Sequence, residues 1–112
     1  MENAYREIPV RGEAGPSQIP QNDALRLYEE GGNAYAQTEK EILPVREPLA
    51  DLENDLNPTR FVRVSDSEIL QIRRIKAFSV TLTGNIDIEF DCGLKIRTNR
   101  GCIKYIKAFL GL

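Results

Sequence analysis

Residues 60–72 read RFVRVSDSEILQI, and this stretch decides how the middle of the chain folds. Phe61 to Val64 is rich in apolar and β-branched residues, which is typical of a buried strand. Ser65 is followed three residues later by Glu68, and this spacing matches a capping box that would open a short helical turn. We therefore expect a strand and then one turn of helix, packed inward by Ile69, Ile72 and Ile75.

Downstream of this stretch, apolar and polar residues alternate. Lys76 to Thr83 places Phe78, Val80 and Leu82 on one face, and residues 86–90 alternate in the same way after a turn at residues 83–85. Because successive side chains of a strand point to opposite faces, this pattern predicts a hairpin. A turn at residues 91–93 leads into GLKIRTNR at residues 93–100, where a further strand is expected. A closing helix is predicted from the apolar stripe of Cys102, Ile103, Ile106, Phe109 and Leu110.

Upstream, the sequence predicts strands and one helix. Residues 7–11 alternate and favour an edge strand, and turn-forming residues cluster at 12–18. Residues 24–29 and 34–38 predict a second hairpin around Gly31–Asn33. Residues 44–56 predict the clearest helix, with Pro48 in its first turn and an apolar side formed by Val45, Leu49, Leu52 and Leu56.

The chain length and composition predict one soluble domain. A chain of 112 residues can bury one core but not a separate catalytic lobe. We assign residues 1–6 to an N-terminal tail and residues 7–112 to the domain. No apolar run approaches the roughly 20 residues that cross a bilayer, and the N-terminus lacks the pattern of a secretory signal. A cytoplasmic location is therefore expected.

The residue types present argue against an enzyme. Histidine is absent, which removes the commonest general base and the commonest zinc ligand. We expect Cys92 and Cys102 to be free thiols, because small disulfide-stabilised proteins usually contain more cysteines. Asp87, Glu89 and Asp91 could line one strand face as a catalytic or metal-binding row, but the same alternation describes a solvated strand. No enzymatic activity and no cofactor are predicted.

Charge is distributed unevenly along the chain. The net charge is −2, which taken alone would argue against a nucleic-acid partner. Residues 1–56, however, contain five Lys/Arg and twelve Asp/Glu, whereas residues 57–112 contain ten Lys/Arg and five Asp/Glu. If the basic half gathers on one face, a DNA-binding surface is possible despite the acidic total. The alternative is that these charges alternate along solvated faces and form no patch.

The order and spacing of these segments resemble the LytTR family, which comprises the DNA-binding domains of bacterial transcription regulators. Family members have a pattern similar to F-x-R-x-H-x-S, followed by isoleucines, a strand pair and a glycine that precedes a final arginine. Residues 25–29 and Tyr35 are similar to the early hairpin of the family, and the resemblance covers roughly residues 7–112. It implies an elongated, mainly β fold of about ten strands in small antiparallel sheets with short α-helices. The matching positions are Phe61, Arg63, Ser67, Ile69, Ile72, Ile75, Gly93 and Arg100.

The resemblance also implies that three loops enter successive DNA grooves. We name them the first loop (Asn33 to Tyr35), the second loop (Ser65 and Asp66) and the third loop (Thr98 to Arg100). Arg100 is the expected base reader, because its planar guanidinium can meet guanine O6 and N7 together. The implied DNA-binding residues are Asn33, Tyr35, Ser65, Asp66, Arg97, Asn99, Arg100 and Lys104, with Arg97 and Lys104 as phosphate neutralisers.

Three of these residues could have a structural role instead of a DNA contact. Tyr35 could cap the hairpin, Arg97 could pair with Glu89 across two strands, and Arg100 could hold the last helix in place. The second loop also departs from the family, which commonly has His followed by Asn or Arg at that point. A carboxylate at Asp66 is repelled by phosphate, although it could accept a hydrogen bond from cytosine N4.

Two hypotheses remain open. The first is a stand-alone, divergent transcription regulator that reads direct repeats in double-stranded DNA, as a monomer or weak dimer that binds cooperatively. The second is a degenerate LytTR scaffold that acts as a protein-interaction module and modulates another regulator. Control by a regulatory membrane protein is compatible with either hypothesis, because the resemblance extends to small family members held inactive in that way.

Overall fold

The computed structural model describes residues 5–111, without the side chain of Leu110, and this part of the chain contains three antiparallel sheets. The first sheet pairs β1 (Ile8–Gly12) with β2 (Gly15–Ile19). The second has the order β5-β4-β3-β7-β6 and consists of β3 (Arg26–Glu30), β4 (Asn33–Gln37), β5 (Ile42–Pro44), β6 (Phe61–Ser65) and β7 (Glu68–Gln71). The third has the order β10-β9-β8 and consists of β8 (Ile75–Val80), β9 (Asn85–Phe90) and β10 (Lys95–Asn99).

Helices are short and few in the described range. The α-helices are α1 (Leu49–Glu53) and α2 (Ile103–Leu110), and 3-10 turns occupy Gln21–Asp23, Ile72–Arg74 and Arg100–Cys102. The principal extents of the molecule are 42 × 33 × 25 Å, so the domain is elongated. The predicted fold class, mainly β with short α-helices in small antiparallel sheets, is confirmed.

The five-stranded sheet separates two hydrophobic cores. Ile69 and Leu70 are neighbours in β7, are both buried and belong to different cores, because successive strand residues point to opposite faces. On the Ile69 side the sheet is covered by α1 and the β1–β2 sheet, and on the Leu70 side by β9 and α2. This burial on both faces explains why residues 68–71 show no alternation of polar and apolar residues.

Both predicted hairpins are present. Strands β3 and β4 are joined at Gly31 and Gly32, whose φ angles of 61° and 85° suit a tight hairpin turn that other residues adopt only with strain. Strands β8 and β9 pair as expected, and Cys102, Ile103, Ile106 and Phe109 of the predicted stripe pack into the core beside Leu70. The side chain of Leu110 lies outside what the structure describes.

Two local predictions were wrong. Residues 44–56 do not form one helix: Pro44 ends β5, Val45 forms a bridge with Val10, and Pro48 is the N-cap of α1 with extended backbone. Proline disfavours helical backbone in the residue that precedes it, so the helix begins after Pro48 and not at residue 44. The apolar side was nevertheless identified correctly, since Leu49, Leu52 and Leu56 are all buried.

The predicted capping box at Ser65 and Glu68 is a strand reversal instead. Ser65 ends β6, Glu68 begins β7, and the Ser65 hydroxyl accepts a hydrogen bond from the Ser67 amide at 3.2 Å. This contact is a local serine turn, which uses the same residue type as a helix cap. The helical turn lies directly after β7 instead, at Ile72–Arg74.

No helix among residues 5–111 combines the length and the apolar character that a membrane span requires.

Candidate nucleic-acid interface

The first and second loops lie at the same end of the five-stranded sheet. The antiparallel register places Tyr28 opposite both Tyr35 and Glu68, so the turn after β3 and the turn before β7 project in the same direction. The Glu29 amide donates a hydrogen bond to the Ser67 carbonyl at 2.9 Å, which ties the two turns together. The hairpin register therefore brings Asn33 to the same edge as Asp66.

The third loop joins this edge from the three-stranded sheet. The Thr98 hydroxyl donates to Glu68 at 2.6 Å, and this bond connects the end of β10 to the start of β7. A groove of about 460 Å³ runs between the second and third loops. Its lining includes Ser65, Asp66, Ser67, Thr98, Asn99, Gly101, Cys102, Lys104 and Tyr105. We call this edge, formed by the first, second and third loops, the rim.

The backbone of the second loop is held by Arg63. Its Nε donates to the Ser65 carbonyl at 2.7 Å, one terminal nitrogen donates to the Asp66 carbonyl, and the other pairs with Glu53 of α1 at 2.8 Å. The guanidinium thus fixes the turn and anchors it to the helix. The sequence identified Arg63 only as a matching position, and its closeness to the turn was the available signal for this role.

A buried polar network lies behind the rim, and the sequence did not predict it. Glu68 is 7% exposed and accepts from Arg26 at 2.9 Å as well as from Thr98. The Arg26 guanidinium lies 4.3 Å from the centre of the Tyr28 ring, and that ring stacks on Tyr35 with centroids 5.5 Å apart. The segment expected as the first loop, Asn33 to Tyr35, is the start of strand β4, because the turn lies at Gly31 and Gly32. Tyr35 is half-buried there, and its ring packs against Tyr28.

The third loop presents an exposed arginine. Asn99 accepts a hydrogen bond from the Gly101 amide at 2.8 Å and so begins the 3-10 turn Arg100–Cys102. The Arg100 side chain is exposed and passes over the β8–β9 turn, where a Cβ on Gly84 would lie 3.5 Å from Arg100 Cδ. Within residues 5–111, no carboxylate lies within 4.0 Å of the Arg100 guanidinium.

Lys104 stands on the first turn of α2, beside the same groove. Its ammonium lies 5.1 Å from the centre of the Tyr105 ring, and no carboxylate of the described chain lies within 4.0 Å of it. Lys104 and Arg100 are consequently cations that remain available to an anion at the rim.

Arg97 lies elsewhere, on the outer face of the three-stranded sheet. Its guanidinium forms a two-pronged pair with Asp87 at 2.7 and 3.1 Å. The hydrogen bonds from Arg97 hold the pKa of Asp87 below its usual range. The sequence anticipated a cross-strand pair but named Glu89 as the partner, which was wrong because the register places Lys95 opposite Glu89.

Negative charge is also present at the rim. Glu29 and Glu30 lie at the end of β3 beside the first loop, and Asp66 is exposed in the second loop. The rim is therefore mixed in sign, with anionic groups towards the first and second loops and cationic groups towards the third.

The remaining reactive groups have ordinary structural surroundings. Both cysteines are free thiols, as predicted, and burial together with the nearby Glu68 charge raises the pKa of Cys102. In the row considered for catalysis or metal binding, Asp87 pairs with Arg97 and Asp91 pairs with Arg74. Among residues 5–111 there is no group of three or more His, Cys, Asp or Glu side chains that could hold a metal ion.

The model of the LytTr DNA-binding domain matches residues 17–111. The chain is 26% identical over 110 residues to the transcriptional regulatory protein LytR of Staphylococcus aureus, in strains N315 and COL among others. That match covers 98% of this chain but 45% of the relative, so the chain spans less than half the length of that protein.

A solved structure shares the fold. It is the LytTr DNA-binding domain of a Bacillus cereus protein described as a methyl-accepting/DNA response regulator, and it superimposes with a TM-score of 0.79. The match covers 96% of this chain and 99% of that domain at 18% sequence identity. At this level of identity the comparison supports the architecture and says nothing about individual contact residues.

Proposed function

This chain belongs to the LytTr DNA-binding domain family, and on that basis we propose that it is a transcription regulator that reads direct repeats in double-stranded DNA through the rim. The observation that carries the proposal is the convergence of three chain segments, tied together by the Glu29–Ser67 and Thr98–Glu68 hydrogen bonds. Beside them Arg100 and Lys104 have no carboxylate partner in the described chain. We take residues 7–112 as the DNA-binding unit.

The side chains at the rim suit different parts of a duplex. Arg100 is exposed, and its planar guanidinium matches the paired acceptors of a guanine in the major groove. Asn99 uses its side-chain oxygen within the protein, so its amide nitrogen is the group left to donate to a phosphate or base. Asn33 can donate or accept at the first loop. Lys104 can neutralise a phosphate and orient the domain without specifying sequence.

The second loop contributes less positive character than the third. Asp66 repels phosphate but can accept from a cytosine N4 group, and Ser65 offers a hydroxyl beside it. Tyr35 is engaged with Tyr28 and shapes the first loop more than it contacts a base directly. We therefore propose modest affinity from one domain and cooperative binding of two monomers, or of a weak dimer, on paired repeats.

The test is selection from a pool of genomic fragments. Purified protein is incubated with the pool at two salt concentrations, and the retained fragments are sequenced. The proposal predicts enrichment of a repeated motif and an affinity that falls as salt rises, because binding releases counterions from phosphate. Retention without a preferred motif, or no retention, would reject the proposal.

A second candidate is a protein-interaction module built on the same fold. It is favoured by the carboxylates of Glu30 and Asp66 at the rim and by the exposed apolar side chains of Phe78 and Val80 on the edge strand β8. Such a module would modulate another regulator or bind a regulatory membrane protein. A chain that enriches no DNA motif but forms a complex with a regulator in solution would support this candidate.

A further inference from the structure

The buried carboxylate of Glu68 accepts from two sequence-distant parts of the chain. Its Oε1 accepts from Thr98, which directly precedes Asn99 and Arg100, and its Oε2 accepts from Arg26 of β3. A buried carboxylate is stable only where charge and hydrogen bonds compensate it, and both oxygens are occupied here. Glu68 thereby fixes the end of β10 against the middle of the five-stranded sheet.

The contact chain continues from Arg26 to the first loop. Arg26 Nε is buried and has no hydrogen-bond partner in the described structure, so Glu68 and the Tyr28 ring orient this guanidinium. Tyr28 in turn stacks on Tyr35 in β4, the last residue of the segment that we call the first loop. Continuous contacts therefore run from Thr98 through Glu68, Arg26 and Tyr28 to Tyr35.

We propose that Glu68 is a positioning residue that fixes the third loop relative to the first, so that both loops reach their DNA contacts together. This inference rests on the proposed function, because the spacing between the loops matters for sequence reading only if the rim meets DNA. Glu68 does not contact DNA in this arrangement, since it lies behind the rim and is almost fully buried. Its contribution is to selectivity, because loop spacing determines which base contacts can form at once.

The variant that tests this role most directly is made at Thr98, and the variant at Glu68 follows it. Removing the Glu68 charge leaves the Arg26 cation poorly compensated, which endangers the fold itself. Thr98→Val has nearly the same shape as the native residue and removes only the hydroxyl donor, and the Arg26–Glu68 pair stays intact. Thr98→Ser keeps the hydroxyl and serves as the matched control.

Two measurements are made on the full chain. The first compares the affinity for the fragment selected by the wild type with the affinity for a scrambled fragment of equal length. We expect Thr98→Val to lower specific affinity about tenfold while scrambled-fragment affinity changes by less than about twofold. Thr98→Ser should behave like the wild type. A purely structural defect would lower both affinities together and would not change their ratio.

The second measurement records backbone amide NMR resonances without DNA. Thr98→Val should shift the resonances of Ala34 and Tyr35 as well as those next to Thr98. Glu68→Gln should produce the same pattern, and the double variant should lose no more specific affinity than the more severe single variant, because both changes break one network. Additive losses would overturn the inference.

The outcomes separate this inference from the proposed function. If the wild type selects a motif but Thr98→Val keeps full specificity, or its resonance shifts stay confined to β10 and β7, the positioning role is wrong and DNA reading stands. If the wild type selects no motif, the proposed function fails and the positioning role in DNA reading fails with it.

Discussion

An arginine lies on the outer face of the three-stranded sheet and another lies at the rim, and they differ in whether a carboxylate pairs with them. Arg97 on the outer face is occupied by Asp87 through two hydrogen bonds, whereas Arg100 at the rim has no carboxylate within 4.0 Å in the part of the chain described. These arginines are three positions apart in the sequence. The number of cations in a segment therefore overstates its capacity for anions, because pairing determines which cations remain available.

The same point applies to the two halves of the chain. Arg63 pairs with Glu53 and Arg74 pairs with Glu39, so carboxylates from the acidic half neutralise arginines from the basic half. Folding thereby reduces the separation of charge seen along the sequence. Within the described residues, Arg100 and Lys104 are rim cations that keep no carboxylate partner.

The largest expected effect comes from Arg100→Ala. We expect affinity for the selected fragment to fall by about 1–3 kcal/mol, the usual discrimination of a bidentate base contact. Thermal stability should change little, because the side chain is exposed and lies over the turn at Gly84. Fluorescence anisotropy and a thermal melt measure the two quantities, and Arg97→Ala is the matched control. Equal losses from both variants would contradict the distinction between these arginines.

Lys104→Ala should have a smaller and less selective effect. A lysine that neutralises one phosphate contributes to all sequences alike, so affinity should fall by a similar factor on selected and scrambled fragments. The slope of log affinity against log salt should decrease by about one. A salt titration of both fragments measures this. An unchanged slope would place Lys104 away from the phosphate backbone.

Asp66→Asn is expected to act in the opposite direction. Removing the exposed carboxylate reduces repulsion of phosphate, and affinity should rise by roughly two- to fivefold at low salt. The gain should shrink as salt is raised, because the effect is electrostatic. Anisotropy titrations at two salt concentrations test this. Weaker binding on the selected fragment alone would indicate that the carboxylate contacts a base.

The smallest expected effect on DNA affinity comes from Arg97→Ala. This variant should instead change the pKa of Asp87. Because hydrogen bonds from Arg97 lower the pKa of Asp87, their removal should raise that pKa towards its ordinary value. Side-chain carboxyl NMR measures the shift, and Asp91 is the internal control because its pKa is lowered by Arg74 instead. An Asp87 pKa that does not move would exclude Arg97 as the cause.

The same pair gives a signed dependence of stability on pH. A carboxyl whose pKa is lower in the folded than in the unfolded state stabilises the fold above its ordinary pKa of about 4. This contribution is lost as pH falls through the folded-state value. The difference in stability between wild type and Arg97→Ala should therefore disappear in acid, which thermal melts across that range would detect.

The hairpins were predicted correctly because residues close together in the sequence specify them. Alternating residues and the glycine pair at residues 31 and 32 specify strands and a reversal within a few positions. The strand reversal at Ser65 was missed because a serine turn and a helix cap use the same residue with almost the same spacing. The local pattern could not choose between them, and pairing of β7 with β3 decided the outcome.

The network behind the rim could not be predicted because its partners are distant. Glu68 meets Arg26 across 42 positions through the pairing of β3 with β7, and it meets Thr98 across 30 positions through the packing of the two sheets. The partner of Arg97 depended on the register between β9 and β10, where a shift by two residues would exchange Asp87 for Glu89. The resemblance to the family identified the segments that form the rim. Which of their charged side chains are paired could be seen only in the structure.

Gly84 has a consequence for how the third loop can change. Its φ of 91° strains any other residue, and an added Cβ would stand in contact with the Arg100 side chain. A substitution at Gly84 would therefore change the surface that the Arg100 side chain contacts, while Arg100 itself stays the same. For the proposed DNA reading, divergence in target preference can thus begin at Gly84 in the β8–β9 turn, outside the three segments that form the rim.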